Sequence, residues 1–167
     1  MKRILLTTVA LAMFAGINIS AAHAGNKVVV DQWGTNNGAA AVQQGNRNKI
    51  TIKQTGKDNF GRGWQTGYRN VVLVEQAGAR NSALTEQRGN NNLAVTGQQG
   101  KNLTASTYQS GYGNIAGTAQ IGNGSIATTE QAGVNNTSGI IQVGNGQKAH
   151  VAQAGNGNIS VVIQGGL

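Results

Sequence analysis

Glutamine recurs every eleven residues along this chain without a slip, at Gln32, Gln43, Gln54, Gln65, Gln76, Gln87, Gln98, Gln109, Gln120, Gln131, Gln142, Gln153 and Gln164. Two residues after each stands a glycine: Gly34, Gly45, Gly56, Gly67, Gly78, Gly89, Gly100, Gly111, Gly122, Gly133, Gly144, Gly155 and Gly166. Six residues before the glutamine stands asparagine in ten of the thirteen units, at Asn26, Asn37, Asn48, Asn59, Asn70, Asn81, Asn92, Asn114, Asn136 and Asn158. Leu103, Ser125 and Gln147 fill the place in the other three. A fixed period is the mark of a repeat architecture, in which each unit buries its apolar face only by stacking on its neighbours. The unit reads N-x5-Q-x-G-x2.

Between Asn and Gln the residues alternate in character, as in Asn48-Lys-Ile-Thr-Ile-Lys-Gln54. Alternation over seven residues predicts a strand, and the four residues that follow read as a turn built on glycine. Charge decides which face is inside. The Asn place, the second and fourth residues after it, and the Gln carry no charge in any of the thirteen units. The opposite parity holds Lys27, Asp31, Lys49, Lys53, Arg62, Glu75, Glu86, Glu130 and Lys148. An unpaired charge is too costly to bury, so the uncharged parity faces inward and takes the Asn and Gln columns with it. Buried amides need partners, and identical amides stacked rung on rung supply them. Such a ladder tolerates no insertion, in keeping with the rigid spacing.

A seven-residue strand spans about 23 Å. A four-residue link reaches at most ~14 Å, so one unit cannot return the chain to its start. Two units can, giving a 22-residue rung. The three exceptions to Asn are themselves 22 residues apart. The fold class expected is all-β: a parallel β-solenoid of two facing sheets, of the cross-β amyloid type, with thirteen strands in six and a half turns. Gly61 and Gly63 mark a weak strand in this reading, with Trp64 on its outer parity.

Residues 1–24 stand apart. Lys2 and Arg3, an apolar stretch from Ile4 to Ile17, and Ala22-His23-Ala24 read as a secretory signal peptide. Residues 25–167 form a single solenoid domain with no membrane span. That mature part holds 11 basic residues against 5 acidic and no cysteine, which excludes disulfides and thiolate metal sites.

The motif resembles the curlin repeat of bacterial curli, S-x5-Q-x-G-x2-N-x5-Q. Ser125-x5-Gln131-Ala132-Gly133-x2-Asn136-x5-Gln142 fits it in full, and Asn81 to Gln98 fits with Asn in place of the leading Ser. The resemblance spans about residues 26 to 166. It implies secretion across the outer membrane through a pore, with a second curlin subunit as partner, and nucleated assembly into extracellular amyloid fibres for biofilm matrix and adhesion. Two departures stand out. Curlins usually carry a non-repeat targeting segment after the signal peptide, whereas here the first strand is expected at Asn26. A nucleating minor subunit often ends in a degenerate repeat, whereas this chain stays regular to Gln164. The basic charge resembles the minor subunit and the regular ladder the major one.

Solenoid monomers normally end in atypical capping repeats, and no cap is evident in this pattern, so self-assembly into a homopolymer is expected. Other classes find less support. His150 is the one histidine after the signal peptide and falls on the outward parity, and Asp31, Asp58, Glu75, Glu86 and Glu130 form no carboxylate pair or metal spacing. No catalytic residue, cofactor or metal is expected. Arg47, Arg62, Arg69, Arg80 and Arg88, near Trp64 and Tyr68, allow weak non-specific binding to polyanions, although a solvated basic surface explains them as well. Thr85, Thr96, Thr107, Thr118 and Thr129 share one column position, as in an ice-binding solenoid, but lie on the inward parity. A non-polymerising solenoid adhesin is the remaining alternative.

Overall fold

The computed structural model describes residues 25–166, and the expected signal peptide lies outside them. The described residues form thirteen strands: β1 (Lys27–Thr35), β2 (Gly38–Asn46), β3 (Lys49–Lys57), β4 (Phe60–Tyr68), β5 (Val71–Ala79), β6 (Ser82–Asn90), β7 (Leu93–Lys101), β8 (Thr104–Tyr112), β9 (Ile115–Asn123), β10 (Ile126–Val134), β11 (Thr137–Asn145), β12 (Lys148–Asn156) and β13 (Ile159–Gly166). Odd strands stack in order into a seven-stranded sheet and even strands into a six-stranded one. All pairs are parallel, with each residue opposite the one 22 places on, as in Gln54↔Gln76 and Gln87↔Gln109. The molecule is a two-sheet parallel β-solenoid with two strands to each 22-residue rung.

The strands are longer than the sequence pattern indicates. Apart from β13 they run for nine residues, and the motif glycine is paired inside the ladder rather than set in a turn, as in Gly34↔Gly56. Twelve of these glycines have φ between +104° and +143°, so the chain bends toward the other sheet while it keeps its hydrogen bonds to the rungs on either side. The corner comes two residues later. There Asn36, Arg47, Asp58, Arg69, Arg80, Asn91, Asn102 and Asn135 adopt φ of +54° to +57°, and Gly113, Gly124, Gly146 and Gly157 take the place elsewhere. This left-handed conformation favours Gly and Asn, which is why Asn-Gly pairs mark three of the corners.

The core is a thin slab of inward residues. Ile50, Ile52, Val72 and Val74 are fully buried, with Ala83 beside them and Ala39 and Ala41 packed against the cluster. Gly61 and Gly63 do not mark a weak strand. A Cβ on Gly61 would stand 2.9 Å from Ile52 Cγ2, and one on Gly63 would stand 3.0 Å from Ile50 Cγ2. The two glycines of β4 make room for the two isoleucines of β3, and the slab keeps its thickness. Gly63→Val should therefore cost about 1–3 kcal/mol through overpacking. Combining it with Ile50→Ala should recover much of that loss. A double-mutant cycle in urea that showed simple additivity would refute the pairing.

Candidate functional site

The inward glutamines form two continuous ladders, one per sheet. In each, Nε2 donates to Oε1 of the glutamine one rung toward the C-terminus, at 2.6–2.9 Å, in the odd sheet and the even sheet alike. Most glutamines use the second Nε2 proton across the core. Gln76 donates to the Phe60 carbonyl at 3.0 Å and Gln87 to the Val71 carbonyl at 3.0 Å, in each case on the facing strand. The ladder thus runs along the axis and ties the two sheets together. Gln54, Gln65, Gln87 and Gln142 are buried completely or nearly so. Every ladder amide donates in the same direction, so the solenoid has a sense from one end to the other.

The asparagines do a different job. Their Oδ1 accepts the backbone N–H one rung on, as Asn48 does from Asn70 at 3.0 Å and Asn92 from Asn114 at 3.0 Å. Their Nδ2 donates to a motif glycine carbonyl 19 residues ahead, as in Asn70 to Gly89 at 2.7 Å, and to the carbonyl four residues back. Amide-to-amide contact occurs in part of the column, for example Asn114 Nδ2 to Asn92 Oδ1 at 3.2 Å. The Asn columns are corner clamps more than ladders, because the bending backbone leaves carbonyls within reach of a side-chain amide beside the corner. Where Leu103 stands, the Asn81 side chain still accepts its backbone N–H at 3.1 Å.

The two ends of the described stack complete the site. At the N-terminal end the inward Val28 and Val30 are 48% and 42% exposed, whereas their counterparts Ile50 and Ile52 one rung up are fully buried. The Oε1 atoms of Gln32 and Gln43 lack a ladder donor among the described residues. At the C-terminal end Gln153 and Gln164 each use one Nε2 proton, on the Thr137 and Lys148 carbonyls, and have one left over among the described residues. The Oε1 of Gln147, in the Asn column, is buried with no hydrogen-bond partner.

The outward surface holds features that sorting by charge passed over. Ile159, Val161 and Ile163 of β13 are 79%, 63% and 72% exposed, and continue an apolar stripe through Ile141 and Val143 of β11. Alternation by itself would have shown them as outward apolar residues. The arginines are largely engaged: Arg47 and Arg69 flank the Tyr68 ring, Arg62 lies 5.3 Å from the Trp64 ring, and Arg88 pairs with Glu86 at 2.6 Å. His150 is exposed on β12. Thr85, Thr96, Thr107, Thr118 and Thr129 are all buried, so they form no outward threonine face. No group of three or more metal-ligating side chains converges among the described residues, and none of them forms a helix long and apolar enough to cross a membrane.

Fold and ladders together define a repeat-built solenoid whose interior repeats one set of contacts at every rung. The profile of the curlin associated repeat matches residues 24–60 and 78–106. The chain carries the curlin repeat in both of these segments. No curated protein matches it.

Proposed function

We propose that this chain is a structural, non-enzymatic subunit of extracellular curli-like amyloid fibres, adding head to tail for biofilm matrix and adhesion. The observation that carries this reading is the fit between the ends of the described stack: Gln acceptors at one and Gln donors at the other that are unused among the described residues, on strands of identical register. An exposed strand edge templates further pairing, and a heterologous contact that does not close makes a filament. Export through the periplasm by the signal peptide at 1–24, passage through an outer-membrane pore, and cooperation with a second curlin subunit follow from the curlin repeat. Residues 25–167 act as one domain. Polyanion binding through the arginines is at most a weak, salt-sensitive accessory.

The test is direct. Residues 25–167, diluted from denaturant, should show a lag and then growth in thioflavin fluorescence. The product should give a meridional reflection near ~4.7 Å. A folded chain that stays monomeric would overturn the proposal and favour a solenoid adhesin.

A further inference from the structure

We propose that successive subunits in the fibre are related by half a turn about the fibre axis, so that the two sheets exchange partners at every junction. The inference rests on the head-to-tail reading above and adds its geometry. The described residues form thirteen strands, an odd number, and both β1 and β13 lie in the seven-stranded sheet. A copy stacked by translation alone would place its β1 on β13. The even sheet would then lack one strand at the junction, between β12 and the incoming β2. Backbone groups on both sides of that slot would lose their partners, as would Gln153 below it and Gln43 of the next copy above it.

Rotation by half a turn removes the slot. The incoming β1 then lies on β12 and the incoming β2 on β13, each continuing the 22-residue register as if it were the next strand of the same chain. Both ladders run on, with Gln153 donating to Gln32 of the next copy and Gln164 to Gln43 of the next copy. Gln147 supports this arrangement independently. In its column a polar side chain accepts the backbone N–H of the rung above, as Ser125 Oγ does from Gln147 N–H at 3.2 Å. In the half-turn arrangement the Asn26 N–H of the next copy stands over Gln147, whose Oε1 has no partner among the described residues and accepts it once the amide turns toward the end of the stack; the translated arrangement brings no such donor. The outer faces do not decide between the two: the half-turn sets Val161 and Ile163 beside Ala40 and Val42 of the next copy but Lys148 beside Lys27, and translation sets Val161 beside Val29 but Ile159 and Ile163 beside Lys27 and Asp31. The subunit rise is about 31 Å and the repeat along the fibre about 61 Å, for strands ~4.7 Å apart.

Cysteine pairs distinguish the arrangements, since the natural chain has no cysteine. All substituted positions face outward, and their strands lie at opposite ends of one subunit, so a disulfide reports a junction. Parallel neighbours in register stand within disulfide reach. Oxidised fibres of V29C/H150C should run as a ladder of covalent oligomers on a non-reducing gel after dissolution, and those of V29C/V161C as monomer. Fibre formation is scored first by thioflavin fluorescence and diffraction. Chains that form no fibre overturn the proposed function and this geometry with it. Fibres linked through V29C/V161C, or through neither pair, overturn the half-turn arrangement and leave fibre formation standing.

Discussion

Gln76→Lys is expected to stop fibre growth under conditions where the parent chain converts completely. Gln76 is 3% exposed and sits mid-ladder, accepting from Gln54 at 2.7 Å and donating to Gln98 and to the Phe60 carbonyl at 2.7 and 3.0 Å. Lysine accepts no hydrogen bond, so the Gln54 donor is left without a partner, and a charge is placed between rungs with no anion in reach. Breaking a buried polar network in this way costs ~3–5 kcal/mol. The ammonium cannot reach water without parting β5 from β3 or from β7. The adjacent change Glu75→Lys is the control. Glu75 points outward and meets Lys53 at 3.5 Å with both side chains about half exposed, an ion pair worth roughly 0–1 kcal/mol. Thioflavin kinetics of both variants decide the matter: equal growth by Gln76→Lys and the parent would refute the inward assignment of the ladder.

Gly78→Ala should be among the most damaging single-methyl additions in the described residues. Gly78 has φ of +120°, and a Cβ there would fall 1.9 Å from the carbonyl oxygen of Gly100 on the next rung. Both offending groups are backbone, so no rotamer change gives relief. Strain and clash together should remove at least ~4 kcal/mol, at the limit of what single substitutions do. Gly97→Ala adds the same methyl group on the outward face of β7, with nothing within 4 Å of the new atom. Its effect should stay within about 0.5 kcal/mol. Urea unfolding followed by far-UV circular dichroism compares the two. Similar midpoints would mean that the rungs are not stacked glycine on glycine.

Much of this architecture was legible in the sequence because it repeats. Thirteen copies of one spacing revealed the strand, its inward parity and the 22-residue rung, for a register error in any copy would have broken the count. What the repeat concealed is what differs between neighbouring units or depends on the third dimension. Gly61 and Gly63 look like gaps in one strand until Ile50 and Ile52 are seen across the core. The motif glycines look like turn residues, since positive φ and a turn usually coincide; here the tight approach of the next rung demands the glycine, and the corner falls to Arg47, Asp58 or Asn91. The asparagines look like a second ladder because they recur as the glutamines do. Their place beside a corner instead ties them to backbone carbonyls. The parity of the strand count was visible from the start, but it gained meaning only once β1 and β13 were placed in the same sheet.

The constant 22-residue separation between paired residues also shapes how the fold can be reached. Loop-closure entropy depends on the length of chain closed, so the first rung and the last meet the same penalty, and β1 never has to find β13. Folding becomes a zipper whose every step is alike. A free end of the stack presents to a newly arrived chain the same surface that a half-folded chain presents to its own next strand. The only difference is the tether, which makes every rung after the first an intramolecular event.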